Sequence, residues 1–283
     1  MLSIGEVVQA PRLIAREYYV GGLFRLRLTL YYSTSYVASV TMGLPTIQVH
    51  TVFQFFLTIA ASLLTLRLGT GLVAWKAANN LERPTYTVLK KLPISAPSRG
   101  KAIEVRKYEP YLIAETVVDE SSMRKAGGAG FGKCAGYIFG KNQRRTKSAQ
   151  AATGEGESGE KMAMTAPVRS SGNVDSDAGK TKVSFVIGSK YNLQSVPKPI
   201  DRAVQVKKVD AHYLAATSFS GPPPSDKVIR KEREAIMSTL EKEGIRVKNK
   251  GETMVYGYHD PIITPNLLRK NEVAVRVDGS SVQ

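Results

Sequence analysis

Ala102-Ile103-Glu104-Val105-Arg106-Lys107-Tyr108 and, after Glu109-Pro110, Tyr111-Leu112-Ile113-Ala114-Glu115-Thr116-Val117-Val118 are the stretches that decide the fold. The first largely alternates apolar and polar residues, the pattern of a strand with one buried face. The second is a β-prone continuation beyond a Pro-containing turn. The pair then recurs. Ala203-Val204-Gln205-Val206-Lys207-Lys208-Val209-Asp210-Ala211-His212-Tyr213-Leu214-Ala215-Ala216-Thr217 repeats the order of residue types, with Ala102 matching Ala203, Val105 matching Val206, Lys107 matching Lys208, Ala114 matching Ala215 and Thr116 matching Thr217. Each copy precedes a helix candidate and two strand candidates, 162–168 and 182–188 in the first, 251–259 and 272–277 in the second. Two β-α-β-β units in tandem predict an α+β domain built from a duplicated half.

The first helix candidate covers 130–140, where Phe131, Cys134, Ala135, Ile138 and Phe139 make one apolar stripe. The second runs from Ser225, a good N-cap, to Gly244, a good residue past a helix end, with its stripe at Ile229, Ile236, Met237 and Leu240. A further strand is expected over 85–89, followed by a loop over 93–100. The segment 142–160 reads as a flexible surface loop or insertion, and 279–283 as a short tail. Lys161-Met162-Ala163-Met164-Thr165-Ala166-Pro167-Val168 is expected to form an edge strand, or a strand running into a bend at the proline. Its two alternate methionines place flexible thioethers on one face, suited to a core or to a flat apolar ligand.

Residues 1–81 differ from the rest. Arg12, Arg16, Arg25, Arg27, Arg67 and Lys76 face only Glu6 and Glu17, and hydroxyl residues are frequent. That composition is what an organelle transit peptide looks like. Within it, 52–75 is almost wholly apolar except for Arg67, so a membrane anchor is also open, with Arg67 able to snorkel toward an interface. A soluble helical appendage is the third reading. The linker is placed at Asn79-Asn80-Leu81-Glu82-Arg83-Pro84, which makes 82–278 the domain.

The chain has 283 residues, 42% of them hydrophobic, enough for a sizeable core. A single Cys134 excludes an internal disulfide. The net charge of +16 favours an anionic partner. Gly127-Gly128-Ala129-Gly130-Phe131-Gly132-Lys133 fits a phosphate-loop pattern, but Cys134 stands where a hydroxyl must coordinate Mg²⁺ and no buried strand precedes it. His50, His212 and His259 show no metal-ligand spacing, and no catalytic triad or carboxylate pair is readable. An enzyme is therefore not expected. Between 121 and 154 there is no acidic residue, while Arg124, Lys125, Lys133, Lys141, Arg144, Arg145 and Lys147 are all present. That run is either a solvated face or an electropositive rim for carboxylates or anionic lipid. Nucleic acid is not expected, because aromatic residues are not interleaved there.

Glu160-Lys161-Met162-Ala163-Met164-Thr165-Ala166-Pro167-Val168 resembles the signature run of the SOUL/heme-binding protein family. So do the run 104–116, Phe131 with Ala135-Gly136-Tyr137-Ile138-Phe139-Gly140, Thr217-Ser218-Phe219-Ser220-Gly221, and the C-terminal runs 258–261 and 265–273. The resemblance spans roughly 81–277. It implies a twisted, barrel-like antiparallel sheet with two helices, similar in architecture to bacterial effector-binding and gyrase-inhibitor-like domains. It also implies reversible, noncovalent binding of heme or other tetrapyrroles by a carrier or buffer. Carried over residue by residue, the groove is Phe131, Cys134, Ile138, Met162, Met164 and Val168, with Lys133 and Lys141 near the propionates. Two departures stand out. The first half of the domain has no His to serve as an iron ligand, and 142–160 is longer than in relatives. The alternative is a protein- or lipid-interaction adaptor using the same groove, and a small-molecule hydrolase is a third reading. Location is expected in or on an organelle, plastid or mitochondrion, or at a membrane, with the cytoplasm also open.

Overall fold

The computed structural model describes residues 54–144, 159–176 and 179–282 in full, and before them the backbone of 12–20, 23–31, 37–42 and 49–53. Two compact units divide at Leu66/Arg67. The first carries three strands, Arg12–Val20, Leu23–Tyr31 and Val37–Met42, paired antiparallel in chain order. A continuous helix, α1 (Val49–Asn79), leads from it into the second unit.

The second unit is built on a nine-stranded antiparallel sheet. In chain order its elements are β1 (Tyr86–Pro93), β2 (Ala102–Tyr108), β3 (Tyr111–Val118), α2 (Met123–Ile138), β4 (Val168–Gly172) and β5 (Thr181–Ile187). There follow β6 (Val204–Val209), β7 (His212–Ser220), α3 (Asp226–Lys242), β8 (Thr253–Gly257) and β9 (Lys270–Val277). Across the sheet they lie β6-β3-β5-β4-β8-β9-β7-β2-β1. Setting β1 aside, that order reads the same from both ends once each strand is exchanged for its repeat mate. The first strands are exchanged: β2 pairs with β7 of the other half, and β6 with β3.

The ladders confirm the duplication residue by residue. Val204 opposes Thr116 and Val209 opposes Tyr111. Their repeat equivalents oppose each other in the same way, Ile103 with Thr217 and Tyr108 with His212. At the centre, Val255 opposes Ser170, with Met254 opposite Ser171 and Tyr256 opposite Arg169. The pseudo-twofold axis passes through that pair.

The sheet is open rather than barrel-like. Its edges are β6 and β1, which do not pair with each other. Both edges are blunted: β6 carries Lys207 and Lys208, while β1 carries Lys90 and Lys91, a register irregularity after Val88 and a terminal Pro93.

Helices α2 and α3 cover one face. Under α3, Ile229, Ile236 and Leu240 pack on Ile103, Val105, Ala215, Val273 and Val275. Under α2, Cys134, Ala135 and Ile138 pack on Ala114, Phe185, Ile187 and Val204. In the short tail, Val282 joins the first of these cores.

Two local expectations change. Helix α2 starts at Met123, capped by the Ser122 hydroxyl, not at Gly130. Gly127, Gly128, Gly130 and Gly132 are all helical, so the run that fits a phosphate-loop pattern forms no cradle. Gly130 is required by a close approach: a Cβ there would lie 2.6 Å from the Val183 side chain. The Met run lies outside the sheet. It has one bridge, Thr165 to Glu82, and a cis Ala166-Pro167 bond, and strand β4 begins only at Val168. Ladder pairing starts where the proline ends. The insertion over 145–158 lies outside the described residues.

Gly130→Leu drives a side chain into Val183 where α2 approaches β5 closely, and overpacking of this kind costs about 1–3 kcal/mol. The urea midpoint of the variant falls with unchanged slope, while Gly128→Ala, on the open side of the same helix, leaves it unchanged or raises it.

Candidate functional site

The residues carried over from the family divide between core and surface. Cys134, Ile138 and Met162 are buried in the α2 core, with Met164 and Val168 packed against it. Cys134 Sγ lies 3.6 Å from the carbonyls of Ala114 and Val183, and burial pushes its thiol up to about 12. It therefore stays a protonated thiol, not a thiolate ligand. Phe131 remains half outside, edge-on to Phe185 at 5.1 Å, and Lys133 and Lys141 are exposed. The apolar stripe is what α2 uses to sit on the sheet, so Cys134, Ile138 and Met162 offer a ligand no surface.

No helix among the described residues lies over the sheet's other face. Alternation along the strands turns Arg106 and Tyr108 of β2, Tyr111 and Ile113 of β3, Arg169 of β4, and Tyr256 of β8 toward that side. All of these but Arg106 line a small cavity of about 30 Å³ there, together with Arg83, Tyr86, Tyr258 and Lys270. Five tyrosines and three cations, Arg83, Arg169 and Lys270, line it, and no carboxylate does.

The rings make a continuous cluster. Tyr86 and Tyr108 are 4.9 Å apart, and His212 stacks on Tyr108 at 5.2 Å and 8°. Cations lie on these rings: Arg106 over Tyr86 at 4.6 Å, Lys270 over Tyr258 at 4.6 Å and Arg83 over Tyr258 at 5.1 Å. The Arg83 Nε is buried and has no partner.

Beneath the cluster sits Glu272, fully buried. It accepts from Arg106 Nη1 and Nη2 at 3.0 and 2.9 Å, Ser218 Oγ at 2.7 Å and Tyr258 Oη at 2.6 Å, with Lys270 Nζ at 2.9 Å. Burial alone would raise its carboxyl, but the Arg106 guanidinium overrides this and holds it down at about 2. A second buried carboxylate, Glu115, is shared by Arg169 at 3.2 Å and Lys207 at 2.8 Å. Both acids are thus saturated by this protein's own cations. Burial raises the phenols of Tyr108, Tyr256 and Tyr258, so they stay protonated and neutral.

His212 carries an unspent lone pair. Its Nδ1 is 2.8 Å from the Asp210 carbonyl, which can only accept, so Nδ1 holds the proton. Nε2 is buried and has no partner. Burial pushes this imidazole down to about 4, partly opposed by the Asp210 carbonyl and aided by Arg276. His259 is occupied by Lys270 N–H at 3.0 Å through Nδ1. The side chain of His50 lies outside the described residues. Among the described residues no cluster of His, Cys, Asp or Glu could hold a metal.

A family model described as SOUL heme-binding protein matches residues 81–276. The chain belongs to the SOUL heme-binding family. The match begins at Leu81, beside the hollow, and ends within β9, so it takes in both halves of the pseudo-symmetric domain. Members of the family are in general binding proteins rather than enzymes. No curated protein matches the chain. Among solved structures, it is similar to a hydrolase from Listeria innocua at 12% identity, covering 65% of this chain and 94% of that one with a TM-score of 0.41. It is also similar to EcmrR in a DNA complex, at 9% identity, 82% and 73% coverage and a TM-score of 0.42. A third is SAV2435 bound to tetraphenylphosphonium, at 13% identity, 63% and 94% coverage and a TM-score of 0.36. Likeness of this degree carries no argument about what this SOUL-family chain binds.

The tyrosine hollow was not singled out in the sequence, although Arg106-Lys107-Tyr108 and Tyr256-Gly257-Tyr258 place polar and aromatic residues at alternate positions on the face away from the helices. His212 gives the site a pH signature. Its folded-state pKa lies below the ordinary histidine value, so the folded state favours the neutral ring. Stability is therefore complete above about pH 6.5 and is lost as pH falls toward 4. From pH 7 to pH 5 this residue alone removes about 2 kcal/mol. His212→Phe, which keeps the ring stack, flattens that part of the stability–pH curve measured by chemical denaturation.

Proposed function

We propose that this SOUL-family domain binds tetrapyrroles, heme among them, reversibly and without a covalent bond, as a carrier or buffer, and that the ring meets the tyrosine hollow. The observation that supports this location is the cavity lining itself: five tyrosines and three cations, with no carboxylate among the lining residues. Tyrosine faces suit a flat aromatic ring, and Arg83, Arg169 and Lys270 suit its propionates.

The cavity has room for water and not for a macrocycle, so the ring lies across the mouth rather than inside. Burying one porphyrin face removes roughly 200–300 Å² of apolar surface, worth about 5–8 kcal/mol before association costs. Propionate contacts bring the result to affinity on the order of micromolar. Protonated phenols and a buried His212 Nε2 leave the iron without an accessible ligand, so the interaction depends on the ring and its carboxylates.

A membrane role belongs to the same reading. Gln54–Asn79 is a 26-residue helical stretch long and apolar enough to cross a membrane, with its side chains almost wholly exposed. We infer that α1 anchors the chain, and that the acid-poor N-terminal segment directs it to an organelle.

Titrating the full chain with hemin and with iron-free protoporphyrin tests the binding reading. The two bind with similar affinity. Tyr111→Ala and Arg83→Ala each weaken both about tenfold, the size of a lost aromatic or ionic anchor. Phe131→Ser and Lys141→Ala leave them unchanged. The opposite pattern moves the site to the outer face of α2, where Phe131 and Phe139 are exposed. Failure to bind either ring removes the tetrapyrrole reading.

A further inference from the structure

Residues 260–269, which join β8 to β9, hold aliphatic side chains in water by a stiff scaffold. The Asp260 carboxylate accepts from the N–H groups of Ile262 and Ile263, at 2.7 Å each. Arg269 Nε donates to the Thr264 carbonyl at 2.6 Å, the Thr264 side chain is fully buried, and Asn266–Leu268 is a 3₁₀ turn. The backbone is fixed, yet Ile262 is 73% exposed, Ile263 45% and Leu267 87%. Three aliphatic residues displayed by so well-tied a loop need a nonaqueous neighbour.

The neighbour is indicated by what the loop touches. Arg67 Nη2 of α1 donates to the Ile262 carbonyl at 3.2 Å. One turn on, Gly71 admits the Pro265 ring, which lies 2.7 Å from where a Cβ would be. The loop is thus seated on α1 at Arg67 and Gly71. On the N-terminal side of Arg67, residues 49–66 of the same helix carry no charged side chain. Eighteen helical residues extend roughly 27 Å, close to the ~30 Å of a bilayer's hydrocarbon. On the other side come Leu72, Val73, Trp75 and Lys76, a mixture suited to the headgroup layer. Arg67 and Arg269 are within electrostatic reach of each other, and Asp260 is the one acidic residue of the loop.

We propose that the loop 261–268 is a second membrane-contacting element, in which Ile262, Ile263 and Leu267 enter the interface of an anionic bilayer at the level where Arg67 meets the headgroups. The proposal rests on the reading of α1 as an anchor and adds that the bilayer boundary falls at Arg67 rather than at Asn79. The tetrapyrrole domain is then held against the membrane by two points, not tethered by one helix. Tyr258, whose ring carries Arg83 and Lys270, stands two residues before Asp260, which ties the hollow to this loop through the backbone.

The test uses the full chain in vesicles of phosphatidylcholine and phosphatidylglycerol. An environment-sensitive fluorophore is attached at Ile262→Cys, Leu267→Cys or, on exposed α3, Glu234→Cys; the native Cys134 is buried and stays unlabelled. Emission at 262 and 267 shifts to the blue and is quenched by lipids brominated near the headgroup, while emission at 234 stays aqueous. If the chain floats with the vesicles but 262 and 267 behave like 234, the loop proposal fails and the anchor stands. A blue shift that brominated lipid does not quench also overturns it, because the side chains are then covered by protein. If the chain does not float with the vesicles, the anchor reading and this proposal fail together.

Discussion

The constraint on which everything else depends is the exchange of first strands between the two repeats. Strand β2 belongs to the first half in sequence but pairs with β7 of the second, and β6 returns the exchange by pairing with β3. Without its counterpart each half would be left with an unpaired edge on β3 or β7, and an isolated first strand. The halves must therefore form together. The common register makes this possible, because one ladder geometry satisfies both exchanges and the Ser170–Val255 pair closes the centre. A one-residue slip of β2 on β7 would turn the Ile103/Val105 face toward the tyrosines, and a slip of β6 on β3 would do the same to Val204 and Val206.

The exchange also decides where chemistry can occur. Both crossover helices return on the same side, so one face of the sheet receives α2 and α3 and the other must be finished by its own side chains. That second face is covered by large, partly polar rings and by ion pairs. Buried charges there are tolerable only because each is saturated: Glu272 has Arg106, Ser218, Tyr258 and Lys270, and Glu115 has Arg169 and Lys207. With the acids satisfied from below, the surface of the hollow presents cations and π faces, which is a polarity suited to a flat anion and hostile to a cation.

Most of the fold was legible because it rests on short-range pattern. The strands over 102–108 and 111–118 are bounded in the sequence by a Glu-Pro turn, and their recurrence at 203–217 carried the duplication. Helix α3 is announced by Ser225 and ended by Gly244, whose φ of +68° is where glycine is favoured. The start of α2 was missed because Gly127, Gly128 and Gly130 have poor helix propensity, and of the three only Gly130 is explained by a contact, its close approach to Val183. The Met run has strand composition but is kept outside the sheet by the position of Pro167. The open sheet was not foreseen because closure depends on what β1 and β6 meet at the edges, which no local pattern encodes. The site was harder still. Tyr86, Tyr108, Tyr111, Tyr256 and Tyr258 are scattered over most of the domain and meet only through strand register. The helical stripe that drew attention to Cys134 and Ile138 has the period of any helix packed on a sheet.

If the hollow takes a tetrapyrrole as proposed, its chemistry favours turnover of the guest over retention. The phenols around it are held protonated by burial, the lone pair of His212 is buried, and the thiol is enclosed under α2. A metal-bearing ring would thus be gripped through its faces and its carboxylates alone. Such contacts are weakened together when the ring tilts off the rings beneath it, with no coordinate bond to break. If the same domain is pinned to a bilayer by α1 and by Ile262, Ile263 and Leu267, a ring leaving the hollow faces lipid before it faces water. The sheet's exposed face and the loop's aliphatic side chains then serve one physical end, which is to pass a sparingly soluble planar molecule between protein and membrane without a long aqueous transit.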